Sequence, residues 1–270
     1  MDVFTPAPGV TALADPQEIP GLGWLPLQAF VLHAAEPVVV DTGITLGSRF
    51  VEHLGSVLDP ADVRWIWLTH PDRDHTGGLL DLLEAAPGAR LVTTFLGLGI
   101  LGCEWELPLE RVHLLNPGQR LDVGDRELHA FRPPLFDSPA TTGFQDTSTG
   151  VLFSSDCFGA PLADAGLAAC DDVRAVPADD LRVAQLLWAG VDSPWVHGVD
   201  RPAYERSLHA LASLEPSAVL SSHLPPAVGD VVHLFETLRL APDSRPFVGP
   251  DQQALEAMLA GFEPPPPTQA

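Results

Sequence analysis

The stretch Thr69-His70-Pro71-Asp72-Arg73-Asp74-His75-Thr76-Gly77-Gly78 constrains the fold more than any other part of this chain. It sets two imidazoles and two carboxylates within six residues, directly after an apolar run that ends in Leu68. Side chains that all seek a metal rarely crowd together for another reason. On a loop leaving a strand, His70 and Asp72 can feed one metal ion, and Asp74 a second, with the part of His75 left open. Imidazole and carboxylate together suit Zn, Fe or Mn. A polar turn capping a helix near Gly78 would explain Asp74 or Thr76, but not two histidines and two aspartates at once.

The chain around this loop is long enough for one large domain. It has 270 residues, 46% of them hydrophobic, which allows a sizeable core. Residues 1–262 read as a single domain, and residues 263–270, with Pro264 to Pro267, as an extended tail. Acidic side chains number 36 against 14 basic ones, all arginine, for a formal net charge of −22. Such a surface repels phosphates and anionic lipids, so neither nucleic acid nor a membrane is expected as a partner. No stretch reaches the roughly 18 apolar residues of a membrane span. Met1 to Val10 lack the basic and apolar segments of a signal peptide. Cys103, Cys157 and Cys170 have no CxxC spacing, which suits a reduced compartment. The expectation is a cytoplasmic protein, with a homo-oligomer left open.

Hydrophobic patterning predicts strands at Val38–Val40, Arg64–Thr69, Arg90–Thr94, Glu127–Arg132, Val151–Ser155 and Ala218–Ser222. Helices are predicted at Gly47–Leu58, Leu79–Ala86, Ala178–Ala189, Pro202–Leu214, Val231–Leu240 and Gln252–Phe262, with Asp200 capping the fourth. Residues 97–119 show no decisive pattern. Strands mixed with helices throughout indicate a layered α/β fold.

His70-x-Asp72-x-Asp74-His75-x-Gly77 resembles the metal-binding signature of the metallo-β-lactamase superfamily, whose common form has histidine where Asp72 stands. An acidic residue at that second position is a habit of the flavodiiron proteins and their oxygen-binding di-iron relatives. The resemblance implies a four-layer αβ/βα sandwich with two metals at one edge, held on inter-strand loops.

Further ligands follow in chain order. The apolar strand Val151-Leu152-Phe153-Ser154-Ser155 ends in Asp156, ahead of Cys157-Phe158-Gly159. This segment resembles the flavodiiron one whose aspartate bridges the metals, and only a carboxylate offers two oxygens for two cations. His223, in Ser221-Ser222-His223-Leu224-Pro225, resembles the final histidine after the family's last strand. Relatives carry another histidine between Glu127 and Asp156. Aligning back from Phe153–Gly159 without a gap puts Asp137 there, in an Asp137-Ser138-Pro139 turn like the family's His-x-Pro.

The resemblance thus implies a first metal on His70, Asp72, Asp137 and Asp156, and a second on Asp74, Asp156 and His223, with His75 undecided. So carboxylate-rich a set favours Fe, with Zn or Mn as alternatives. Thr69 and Asp41 are expected to hold the loop or orient a histidine. Trp195 and His197 are candidates for lining a substrate entrance. Three functions compete: binding or reducing O2 or NO at a di-iron site, hydrolysis of an ester, thioester, lactone or phosphoester with Asp74 orienting the nucleophile, and a non-catalytic metal protein. In the redox case no flavin is expected on this chain, so a separate electron-donor protein would serve it. In each case the ligand or substrate is a small molecule.

Overall fold

Val38-Val39-Val40 shows how the layers are built. Successive strand side chains point to opposite faces, and Val38 and Val40 join one buried cluster while Val39 joins another. Trp65 and Trp67 divide from Ile66 in the same way. In the second half of the chain, Val151 and Phe153 face the same cluster as Val38, and Leu152 faces a third. Three apolar clusters and two sheets buried on both faces make a sandwich of helix, sheet, sheet and helix. The computed structural model describes residues 1–44 and 48–260.

The first sheet holds seven strands in the order Asp2–Ala7, Val10–Ala14, Gln28–Leu32, Val38–Val40, Trp65–Trp67, Arg90–Thr93 and Val112–Leu114. The second holds six, Arg120–Asp122, Glu127–Phe131, Gly143–Asp146, Val151–Phe153, Ala218–Leu220 and Ala227–Val228. Trp67 against Phe144 and Phe30 against Phe153, with ring centroids 4.4 Å and 5.6 Å apart, stitch the sheets together. Helices Ser48–Gly55 and Leu79–Ala85 cover the first sheet through Phe50, Leu54, Leu79 and Leu82. Helices Ala178–Asp192, Arg201–Ala212 and Val232–Arg239 cover the second through Leu181, Leu208 and Leu234.

Most expected elements occur, with ends trimmed by one to three residues or, at Ala178–Asp192, extended. Asp200 accepts the Ala203 N–H as the expected cap. The expected helix start at Gly47, the helix end at residues 261–262 and the tail 263–270 lie outside the described residues. Two features were not expected from the pattern. Val10–Ala14 and Gln28–Leu32 are buried at every position, so they lack the alternation that marks a half-exposed strand. Helix Phe95–Leu101 lies largely in the stretch without a pattern and leaves Phe95 and Leu96 exposed.

Strand direction decides where the polar residues meet. Val38–Val40, Trp65–Trp67 and Arg90–Thr93 run parallel, as do Val151–Phe153 and Ala218–Leu220. Their C-terminal ends lead into Asp41, the Thr69–His75 loop, Asp156 and His223. Backbone bonds from Thr142 to Thr69 (2.8 Å) and from Gln28 to Ser222 (3.0 Å) tie the two sheets at this edge. Clustering beyond the carboxyl ends of strands is the general rule for α/β sheets.

Candidate metal centre

Seven side chains converge at that edge, and Asp156 divides them. Its Oδ2 lies 3.3 Å from His70 Nε2, while its Oδ1 lies 3.1 Å from His75 Nε2 and 3.2 Å from His223 Nε2. On the Oδ2 side, His70 Nε2 also approaches Asp137 Oδ1 (3.7 Å) and Asp72 Oδ2 (4.0 Å). On the Oδ1 side, Asp74 Oδ2 lies 3.5 Å from His75 Nε2 and 3.3 Å from His223 Nε2. Donor atoms of His70, Asp72 and Asp137, and of Asp74, His75 and His223, each fall within 4.8 Å of one another.

The histidines are aimed by their other nitrogens. His75 Nδ1 lies 2.8 Å from Asp41 Oδ2, and His223 Nδ1 lies 2.9 Å from the Pro26 carbonyl. A carboxylate and a carbonyl only accept, so each Nδ1 carries a hydrogen and each Nε2 faces the cluster, where its proton can give way to an ion. His70 Nδ1 rests 3.2 Å from Ser155 Oγ, which donates to Thr69 Oγ1 (3.0 Å). Asp41 also accepts from Thr69 N (2.8 Å), Thr69 Oγ1 (2.8 Å) and Ser222 Oγ (3.3 Å), so one carboxylate gathers both sheets. Asp41, Ser155 and Phe158 adopt left-handed backbone, with φ of 56°, 55° and 75°. Such conformations cost free energy in residues other than glycine and gather at functional sites.

Electrostatics separate the two sides. Burial penalises charge on every group here, but Asp74, Asp156 and Asp41 hold His75 well above its ordinary value. Burial also opposes charge on His223, and Asp156 and Asp74 still push it up to about 10. Asp156 is held well below the carboxylate range, because His70, His75 and His223 outweigh its burial. On the other side burial lowers His70. Burial raises both Asp72 and Asp137, and the charge of Asp137 adds to the rise of Asp72 and that of Asp156 to the rise of Asp137. That side holds an excess of carboxylate that added positive charge would neutralise.

The donor set fits metal ions on a separate observation. His75 Nε2 and Asp156 Oδ1 are buried, 3.1 Å apart, and neither makes a hydrogen bond. Two buried polar atoms facing each other without a hydrogen bond are costly unless a cation, a proton or a metal ion, lies between them.

Of the expected outer residues, Thr69 and Asp41 join the cluster as described. Trp195 is 39% exposed, donates to the Phe136 carbonyl (2.8 Å) and stacks on Phe136, next to Asp137. His197 packs its Nε2 near Gly190 of the preceding helix, and no described ion pair joins it to the cluster. Two residues beside the cluster were not anticipated. Asp192 brings a carboxylate within 4.8 Å of Asp137 and Asp156, and burial and the Asp156 charge push it up to about 8. Trp188 donates its indole N–H to the Asp156 carbonyl at 3.1 Å. One signal for Asp192 existed, since an acid in the last turn of a helix opposes the helix dipole.

Residues 27–177, more than half of the chain, match the model of the ODP family beta lactamase. The chain belongs to this family. Its fold is that of flavodiiron metallo-β-lactamase-like cores. The ODP-family chain is 28% identical over 138 residues to the anaerobic nitric oxide reductase flavorubredoxin of Salmonella typhi. That alignment covers 50% of this chain and 29% of the relative, so the match spans under a third of that protein's length. The rubredoxin oxygen:oxidoreductase of Desulfovibrio gigas shares the fold with a TM-score of 0.75 at 17% identity, covering 91% of this chain and 63% of that one. The flavodiiron protein of Giardia intestinalis does so with a TM-score of 0.75 at 16% identity, covering 89% and 59%. Among the described residues, no helix is long and apolar enough to cross a membrane.

Proposed function

We propose that this ODP-family domain holds two metal ions bridged by Asp156 and binds or reduces O2 or NO there. His70, Asp72, Asp137 and Asp156 would hold the first ion, and Asp74, His75, His223 and Asp156 the second. The division of Asp156 between His70 on one oxygen and His75 with His223 on the other carries this reading. The six ligands read from the sequence would become seven with His75, whose Nε2 lies 3.1 Å from Asp156 Oδ1. The carboxylate share favours Fe or Mn over Zn. The names of the relatives, a nitric oxide reductase and an oxygen oxidoreductase, support the choice of small molecule.

A bound metal pair supplies electron exchange with a diatomic ligand. The chain's own residues do the rest. Asp41 and the Pro26 carbonyl fix the tautomers of His75 and His223, so that each Nε2 is committed to the cluster. Thr69 and Ser155 hold His70 from behind. Asp72 and Asp137 form the open rim, with side chains 52% and 28% exposed, so small molecules reach the site from that side. Electrons would come from a donor outside this domain.

A metal-dependent hydrolase of ester, thioester, lactone or phosphoester substrates is the second reading. The inward Nε2 of His75 favours it, since a full set of imidazoles suits Zn as well. Protein purified anaerobically from iron-supplemented cells decides between them by elemental analysis and an optical spectrum on exposure to air. About two irons per chain with new charge-transfer absorption is the expected result. Two zincs and no spectral response would sink the redox reading.

A further inference from the structure

Helix Ala178–Asp192 supplies none of the seven converging side chains, yet it grips the turn that carries Asp156. Gln185 donates its Nε2 hydrogen to the Phe158 carbonyl (3.0 Å), and one helical turn on Trp188 donates to the Asp156 carbonyl (3.1 Å). The same carbonyl accepts the Gly159 N–H (2.9 Å), closing a turn whose Ser155 and Phe158 are both left-handed. The indole also packs edge-on against His223, with ring centroids 5.0 Å apart and planes at 67°. Gly159 makes the room. A Cβ there would lie 2.4 Å from Trp188 Nε1 and 2.9 Å from His223 Cβ.

We infer that Trp188 is a positioning residue for the second metal, coupling the Asp156 turn to the His223 ring. The inference rests on the two-metal reading above. Both of its contacts bear on the same side, since Asp156 Oδ1 and His223 Nε2 lie 3.2 Å apart. The N–H bond fixes the backbone rotation that aims Oδ1, and the ring fixes the plane of the imidazole. His70, Asp72 and Asp137 have no described contact with Trp188. Of the first metal's ligands it touches Asp156 alone, whereas it touches both Asp156 and His223 at the second, so the second site depends on it more.

Cobalt(II) titration of the ion-free full chain tests this, with visible d–d absorption reporting each site. Trp188→Phe keeps an aromatic edge against His223 and removes the donor. Expected are two cobalt ions in the unsubstituted protein and, in Trp188→Phe, a first affinity that changes less than the second. The second affinity should fall about 10-fold, as when partners of metal ligands are lost, and its absorption bands should shift. Trp188→Leu, which removes both contacts, should weaken the second site further, with the smaller loss still at the first. Wild-type affinity and spectrum for the second cobalt in both variants would overturn the role of Trp188, as would equal losses at both sites. Fewer than two cobalt ions in the unsubstituted protein would instead overturn the two-metal reading and, with it, this inference.

Discussion

The two halves of the metal centre are built by opposite means. Around Asp74, His75 and His223, both imidazoles are nearly inaccessible, and buried acceptors orient them from behind. Around His70, Asp72 and Asp137, only the imidazole is buried, and the two carboxylates stand on exposed loop backbone. The first arrangement balances its own charge, with raised histidines against lowered carboxylates. The second crowds carboxylates whose values are raised by burial, with Asp137 adding to the rise of Asp72 and Asp156 to that of Asp137. One half is thus set by packing without any ion, while the other would gain its order from one. Preorganisation of this kind lowers the cost of binding, so the buried half should take the tighter hold.

Asp156 is where the comparison can be broken outright. It serves both halves with separate oxygens, so Asp156→Ala should abolish both metals, exceeding the roughly 100-fold losses seen for outer partners. Metal analysis that still finds one ion would show that the halves are independent. A smaller effect with a sharper lesson is expected at Asp41. Asp41→Ala strips the acceptor from Thr69 N–H, Thr69 O–H and His75 Nδ1–H, all buried. Unmade buried bonds cost about 1–3 kcal/mol each, and partial relaxation should leave a net loss of about 2–4 kcal/mol in chemical denaturation. Second-metal affinity should fall 10- to 100-fold while the first is kept. Equal losses at both metals would mean that Asp41 holds the whole edge rather than one half.

The two halves also differ in how far the sequence announced them. His70, Asp72, Asp74 and His75 sit in one local turn, and local crowding of such residues is visible without a fold. Asp156 and His223 stood out because each ends a short apolar run, which strand pairing then brings to the same edge. Asp137 was legible only through a resemblance in spacing, and the aim of His75 depends on its Nδ1 meeting Asp41 across 34 residues, which no local pattern shows. Trp188 and Asp192 carried almost no signal. Their contacts come from packing a helix on the second sheet, and an apolar helix face looks the same whichever turn it covers. The layers were legible where buried strands form unbroken apolar runs, as at Val38–Val40 and Val151–Phe153, and hidden in Val10–Ala14 and Gln28–Leu32, equally buried strands that include Thr, Ala and Gln.

The smallest expected effect separates a ligand from a turn-former. Asp137 is 28% exposed, and its raised value reflects burial and the nearby charge of Asp156. Removing it from the ion-free protein relieves that repulsion, so Asp137→Ala should leave stability within about 0.5 kcal/mol of the starting value, with any shift upward. In the metal-loaded protein the same change removes a ligand from the exposed half, and first-metal affinity should fall about 10-fold with the second unchanged. Thermal unfolding in the two states therefore moves in different directions for this one substitution. If Asp137 merely shaped the Ser138-Pro139 turn, its loss would lower stability by the same amount with and without metal, and titration would find the first site intact. Parallel shifts in the two states would remove Asp137 from the centre and leave the exposed half with His70, Asp72 and Asp156.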